Sequence, residues 1–192
     1  MDADAALLDA VRGGDEVAFA TLVQRYHPLL LRVAETTVGS RAVAEEAVQD
    51  TWLAVLRGVD RFEGRSSLKT WLYRILLNRA RTAGGREQRA GARHEDLDIE
   101  KFDSSGAWVH PPEPWADRVE DRIVAERLAS RVHDLLGELP DGQRLAVLLR
   151  DVEQLPADEV SGLLGITAEN QRVLLHRGRA RLRQLLAKEV SV

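Results

Sequence analysis

The chain has 192 residues, 44% hydrophobic and 30% charged with aromatics at only 5%, and carries a formal net charge of −4. That balance fits one large or two small water-soluble domains, and no apolar run approaches the ~20 residues of a membrane span. The complete lack of cysteine excludes disulfides and thiolate metal sites, and the acidic start Met1-Asp2-Ala3-Asp4 lacks the basic opening of a signal peptide, as expected of a cytoplasmic protein.

The acidic total conceals a partition. Residues 64–93 hold 8 basic side chains and 1 acidic, net +7, and residues 170–192 hold 6 and 1, net +5. Compact basic blocks in an acidic chain mark candidate phosphate-binding surfaces, although either block alone serves equally as a solvated helix face.

Strand signals are nearly absent and helical periodicity recurs. Asp15, after Gly13-Gly14, reads as the N-cap of a helix to about Val38. Gly39-Ser40 breaks it, and Ser40 opens a second helix from Arg41 to about Arg57. Its apolar side is Ala44, Ala47, Val48, Thr51, Trp52 and Val55; the opposite side carries Glu46, Gln49, Asp50, Leu53 and Arg57. Leu53 is thus an apolar residue centred in a polar stripe, which taken alone is ordinary surface.

Ser66 or Ser67 caps a third helix, Leu68 to about Thr82, ended by Gly84-Gly85. Leu68, Trp71, Leu72, Ile75 and Leu76 form its core side, flanked by a stripe of Arg74, Asn78 and Arg81. The preceding loop, Arg61-Phe62-Glu63-Gly64-Arg65-Ser66-Ser67, combines cations, an aromatic and small donors, a composition that grips single-stranded nucleic acid by stacking and phosphate contact. Phe62 and Trp71 serve equally as core residues.

From Ala90 to Pro114 no helical period survives, and the cluster Pro111-Pro112-Glu113-Pro114 is extended by nature. Loops this long are rare inside compact domains, so a flexible linker over residues 88–117 separates one unit at 1–87 from another at 118–192. Trp108 and Trp115 within it call for a docking surface. The second unit reads as helices over Arg118–Gly137, Pro140–Asp151 and Pro156–Leu164, a Gly165 turn, and a long helix from Thr167 to about Lys188.

The last two helices form a helix-turn-helix pattern. Gln171, Leu174, Leu175, Gly178, Leu182 and Leu185 fall on one face of the long helix; Arg172, Val173, His176, Arg177, Ala180 and Arg183 fall away from it. The second set suits phosphates and base edges in a major groove.

Taken together these blocks resemble the extracytoplasmic-function sigma factors of the sigma-70 family. Val43-Ala44-Glu45-Glu46-Ala47-Val48-Gln49-Asp50-Thr51-Trp52 looks like their core-polymerase-binding helix. Phe62-Glu63-Gly64 with Leu68-Lys69-Thr70-Trp71-Leu72-Tyr73-Arg74-Ile75 and Asn78-Arg79-Ala80 is similar to their promoter-melting segment. Leu139-Pro140, Val147 to Glu153 and Glu159 to Ile166 resemble their C-terminal domain.

The resemblance implies an all-α protein of two small helical domains, a region 2-like bundle and a region 4-like helix-turn-helix unit. It implies three partners: core RNA polymerase at its clamp, promoter DNA, and an anti-sigma factor. It assigns polymerase contact to Glu46, Gln49, Asp50 and Leu53. It assigns −10 DNA contact to Arg61, Phe62, Arg65, Ser66, Ser67, Lys69, Trp71, Arg74 and Asn78, and −35 DNA contact to Arg172, Val173, His176 and Arg177. No catalytic residue, metal or cofactor is implied, and no membrane contact. The recognition helix departs from the usual pattern at Gln171, Leu174 and Gly178.

Two other readings differ in kind. A helix-turn-helix regulator that does not bind polymerase accounts for residues 118–192 but not for the first unit. An enzyme finds no support, because the five histidines show no ligand spacing and there is no phosphate loop or nucleophile motif.

Overall fold

A computed structural model of the chain describes residues 3–87 and 134–190, and among these there is no strand. The linker expected over 88–117, with Trp108 and Trp115, lies outside the described residues, as does most of the helix expected from Arg118.

Four helices build the first unit. They are α1 (Ala3–Arg12), α2 (Glu16–Thr37), α3 (Arg41–Gly58) and α4 (Leu68–Glu87), with a 3-10 turn at Val59–Arg61. Asp15 caps α2 as expected, its carboxylate accepting from the N–H groups of Val17 at 2.8 Å and Ala18 at 3.0 Å. Ser67 caps α4, its hydroxyl oxygen accepting from Thr70 N–H at 3.1 Å. Leu22, Leu30 and Val33 of α2, Ala44, Val48 and Val55 of α3, and Leu72 and Leu76 of α4 are wholly buried between the helices. Pro28 sits inside α2 on its exposed side, and burial of Tyr26 and Leu30 on the opposite side holds the helix across the missing N–H.

Two expectations needed revision. The sequence reading places no helix before Asp15, yet α1 is there: Leu7, Leu8 and Val11 recur at helical spacing, and Leu8 and Val11 are buried. Arg12 then reaches across the bundle, donating from Nε to Val59 O at 3.2 Å and from a terminal nitrogen to Phe62 O at 2.5 Å. Likewise α4 runs through Gly84-Gly85 to Glu87, because glycine in a helix is a cost of about 1 kcal/mol and not an obligatory stop.

The second unit contains α5 (Asp141–Val147), a π-helical turn (Leu148–Val152), α6 (Ala157–Leu164) and α7 (Ala168–Val190). The expected single helix to Asp151 therefore widens after Val147; Glu153 N–H donates to Leu148 O, five residues back, at 2.8 Å. Gly165 ends α6 in the left-handed conformation, φ 69°, the position where glycine is favoured. Thr167 caps α7, its side-chain oxygen taking the Asn170 N–H at 3.1 Å.

α7 lies across α5 and α6. Its packing face is the expected one, with Gln171, Leu175 and Leu182 buried, except that Ala180 also turns inward at 7% exposure. Ala180 is thus removed from the outward set.

Candidate polymerase and nucleic-acid interfaces

Three surfaces carry the residues singled out by sequence. The first is the outer face of α3. Glu46, Gln49, Asp50 and Leu53 are all exposed there, three or four residues apart and therefore adjacent along one stripe. Leu53 is 49% exposed and Leu56, one turn further, is 48% exposed. Leu56 was not singled out; its place at i+3 from Leu53 was the available signal. Two exposed leucines flanked by carboxylates make a patch suited to an apolar partner rimmed by cations.

The second surface is the Arg61–Ser67 loop with the start of α4. Arg12 of α1 holds the loop by the two carbonyls it caps. The Phe62 and Trp71 rings lie 4.9 Å apart, tilted by 43°, and both are half-buried. They pack on one another at the rim of the core, with part of each ring open to solvent. Arg61, Arg65, Ser67, Arg74 and Asn78 are exposed, and Ser66 is half-buried. Arg65 pairs with Glu63 at 3.0 Å, a surface pair of small energetic weight.

Lys69 belongs to this set by sequence but is engaged elsewhere. Its ammonium lies 2.9 Å from Glu153 Oε2 and 2.8 Å from Glu153 O. Arg32 donates to the same carboxylate, through Nε at 3.1 Å and a terminal nitrogen, and the Tyr73 hydroxyl donates to it as well. Burial alone would push the Glu153 carboxyl up; the hydrogen bonds from Tyr73, Lys69 and Arg32 outweigh it and hold the group below the usual carboxylate value. Burial and the adjacent carboxylate push the Tyr73 phenol far above its ordinary range, so it stays a donor. Around this centre Thr70 hydroxyl donates to Glu159, Arg81 donates to Leu163 O at 3.0 Å, and Arg144 donates to Thr36 O at 3.2 Å. The two units are thus docked on one another, α2 against α5 and α4 against α6.

The third surface is α7. Arg172 is exposed, and Val173, His176 and Arg177 are half-buried. Burial, then the cations Arg183 and Arg179, hold the His176 imidazole below its ordinary pKa, so at neutral pH it offers one donor and one acceptor nitrogen. Arg179 is turned to Asp151, with N–O distances of 2.8 and 2.5 Å. Among the described residues there is no group of His, Asp or Glu able to hold a metal ion, and no helix long and apolar enough to cross a membrane.

A basic helix-turn-helix unit coupled to a helical bundle with a second cationic face is the build of a DNA-binding transcription protein. The family model for Sigma-70 region 2 matches residues 22–90, and that for Sigma-70, region 4 matches residues 129–182. The ECF RNA polymerase sigma-E factors of Salmonella typhimurium and of Escherichia coli K12 are each 30% identical over 179 residues, spanning 92% of this chain and 90% of theirs. Among solved structures, CnrH in complex with the cytosolic domain of CnrY has the same fold, with a TM-score of 0.62 at 24% identity over 97% of this chain and 99% of that one. The sigma factor RpoE in complex with the anti-sigma factor NepR from Bartonella quintana gives 0.61 at 24% identity over 88% and 96%. The chain belongs to the extracytoplasmic-function sigma factors of the sigma-70 family, and it directs transcription initiation by RNA polymerase.

Proposed function

We propose that the chain divides the work of initiation among these three surfaces. The α3 stripe of Glu46, Gln49, Asp50 and Leu53, extended by Leu56, docks the clamp of core RNA polymerase. The loop Arg61, Phe62, Arg65, Ser66 and Ser67, with Lys69, Trp71, Arg74 and Asn78, takes the −10 strand. Arg172, Val173, His176 and Arg177 read the −35 duplex, and residues 88–117 link the two domains. The protein works by binding, without catalysis or a cofactor, in the cytoplasm, and an anti-sigma factor is a further partner, in keeping with the complexes formed by its structural relatives.

The observation that carries the reading is the pair Leu53 and Leu56, half-exposed in a stripe of acids and amides on a helix whose other side is fully packed. Carboxylates there suit arginines on a partner helix, and each leucine gains about 1.5–3 kcal/mol if fully covered. Asp50→Ala with Leu53→Ala is expected to leave helicity and Tm unchanged and to weaken core polymerase capture at least tenfold, about 1.4 kcal/mol. Undiminished capture in a titration would discard the α3 assignment.

A further inference from the structure

The loop that carries the −10 assignment has little support of its own. Val59 and Leu68 on either side of it are each 4% exposed, but no residue from 60 to 67 is buried, and only Phe62 and Ser66 are half-buried. A site that discriminates between ligands must hold its groups to about 0.5 Å. Burial does not supply that constraint here.

It comes from outside the loop. α1 ends at Arg12, and the Gly14 N–H closes back on Val11 O at 3.0 Å. Leu8 and Val11 beside Arg12 are buried, so this helix end is anchored in the core. From there the Arg12 side chain crosses to the 3-10 turn, where Nε donates to Val59 O and one terminal nitrogen donates to Phe62 O. The other terminal nitrogen donates to Asp9 Oδ1 at 2.8 Å, one turn back. Each nitrogen of the guanidinium is engaged, and a carboxylate on its own helix sets its direction.

Val59 O also accepts the turn's own bond from Phe62 N–H at 3.2 Å. One planar group therefore joins the carbonyl that opens the turn to the carbonyl that follows it. The Phe62 carbonyl cannot rotate without breaking a charge-assisted bond, so α1 sets the direction in which the chain leaves toward Arg65. Lysine is no substitute, because an ammonium is a point donor without the planar fork.

We propose that Arg12 is a positioning residue for −10 recognition. It staples the loop from behind, so that Arg61, Phe62 and Arg65 meet the single strand in one arrangement. α1 contributes no residue to the −10 surface, yet it sets how selectively that surface reads. The inference rests on the −10 assignment made above, and its test separates the two.

Holoenzymes of the full chain with core polymerase are compared over a library of −10 sequences behind one fixed −35 element. Arg12→Met keeps most of the aliphatic stem and removes every donor. It should lower discrimination between the best and worst base at the positions the loop reads by about fivefold, the low end of what one stacked base carries. Core polymerase capture, −35 preference and the salt slope of DNA binding should stay at parent values. Arg12→Lys should fall close to Arg12→Met, since it restores the charge without the fork.

A parent-like −10 profile in folded Arg12→Met, or in Arg12→Lys, overturns the proposal. So does an even loss across all −10 sequences with a shallower salt slope, the mark of a direct phosphate contact. If circular dichroism shows Arg12→Met unfolded, Arg12→Lys decides; if both unfold, Arg12 supports the bundle as a whole and the positioning role is discarded. Arg61→Ala combined with Arg65→Ala reports on the underlying assignment. An unchanged profile in that double variant defeats the −10 reading of the loop, whereas a changed one beside an intact Arg12→Met profile defeats only the inference about Arg12.

Discussion

Gly178 and Val147 touch so closely that the helices carrying them leave no room for a methyl group: a Cβ at 178 would lie 2.6 Å from Val147 Cγ2 and 3.1 Å from Gln143 O. Helix propensity favours alanine by about 1 kcal/mol, but overpacking against backbone and a branched side chain costs about 1–3 kcal/mol. Gly178→Ala is therefore expected to lower stability despite the better helix former. Adding Val147→Ala should recover part of the loss, a coupling that a double-mutant cycle measures directly. A stabilised Gly178→Ala would show that α7 is free to shift on α5.

Gln171 offers the opposite case. It is 1% exposed on the packing face of α7, and its Nε2 has no hydrogen-bond partner among the described residues. An unsatisfied buried donor costs about 1–3 kcal/mol. Gln171→Leu should raise the denaturation midpoint with an unchanged m-value. A fall in stability would mean that the amide is satisfied in solution.

The half-buried Arg177 and the exposed Arg172 should behave differently at the −35 element. Arg177→Ala is expected to remove about 1–3 kcal/mol at one base pair and relax the preference there, the signature of a bidentate guanine contact. Arg172→Ala should weaken binding evenly across sequences and shallow the salt slope by about one. Holoenzyme transcription over a −35 library distinguishes them; identical profiles for both variants would place the two arginines in the same role.

Acid should act on the docked state through Glu153. Its folded carboxyl sits below the ordinary value of 4.5. Its contribution is therefore fully present above that value and is lost as pH falls through the folded pKa. Wild-type stability should drop below about pH 4.5 more steeply than that of Glu153→Gln. Parallel curves would mean that the carboxylate is equally acidic in the unfolded chain.

Local chemistry made much of this fold readable. Asp15 as an N-cap, Gly165 past the end of α6, the Trp52 side against the Leu53 side of α3 and the packing face of α7 all follow from neighbours within a turn or two. What escaped was set at long range. The π-helical turn interrupts a helix whose periodicity reads as continuous, and it leads directly into Glu153. That residue's partners lie 121, 84 and 80 positions away, and no periodicity pairs them. The resemblance assigns Lys69 to the −10 surface; its engagement with Glu153 was legible only once the second unit was seen against it.

The 80 residues between Tyr73 and Glu153 also impose an order in time. A ribosome adds about 5–20 residues per second, so Tyr73, the last made of the three partners, precedes the acid that covers it by roughly 4–16 s. During that interval the newborn first half presents two uncapped cations and a phenol. Any polyanion in the cell meets them before the protein's own carboxylate does.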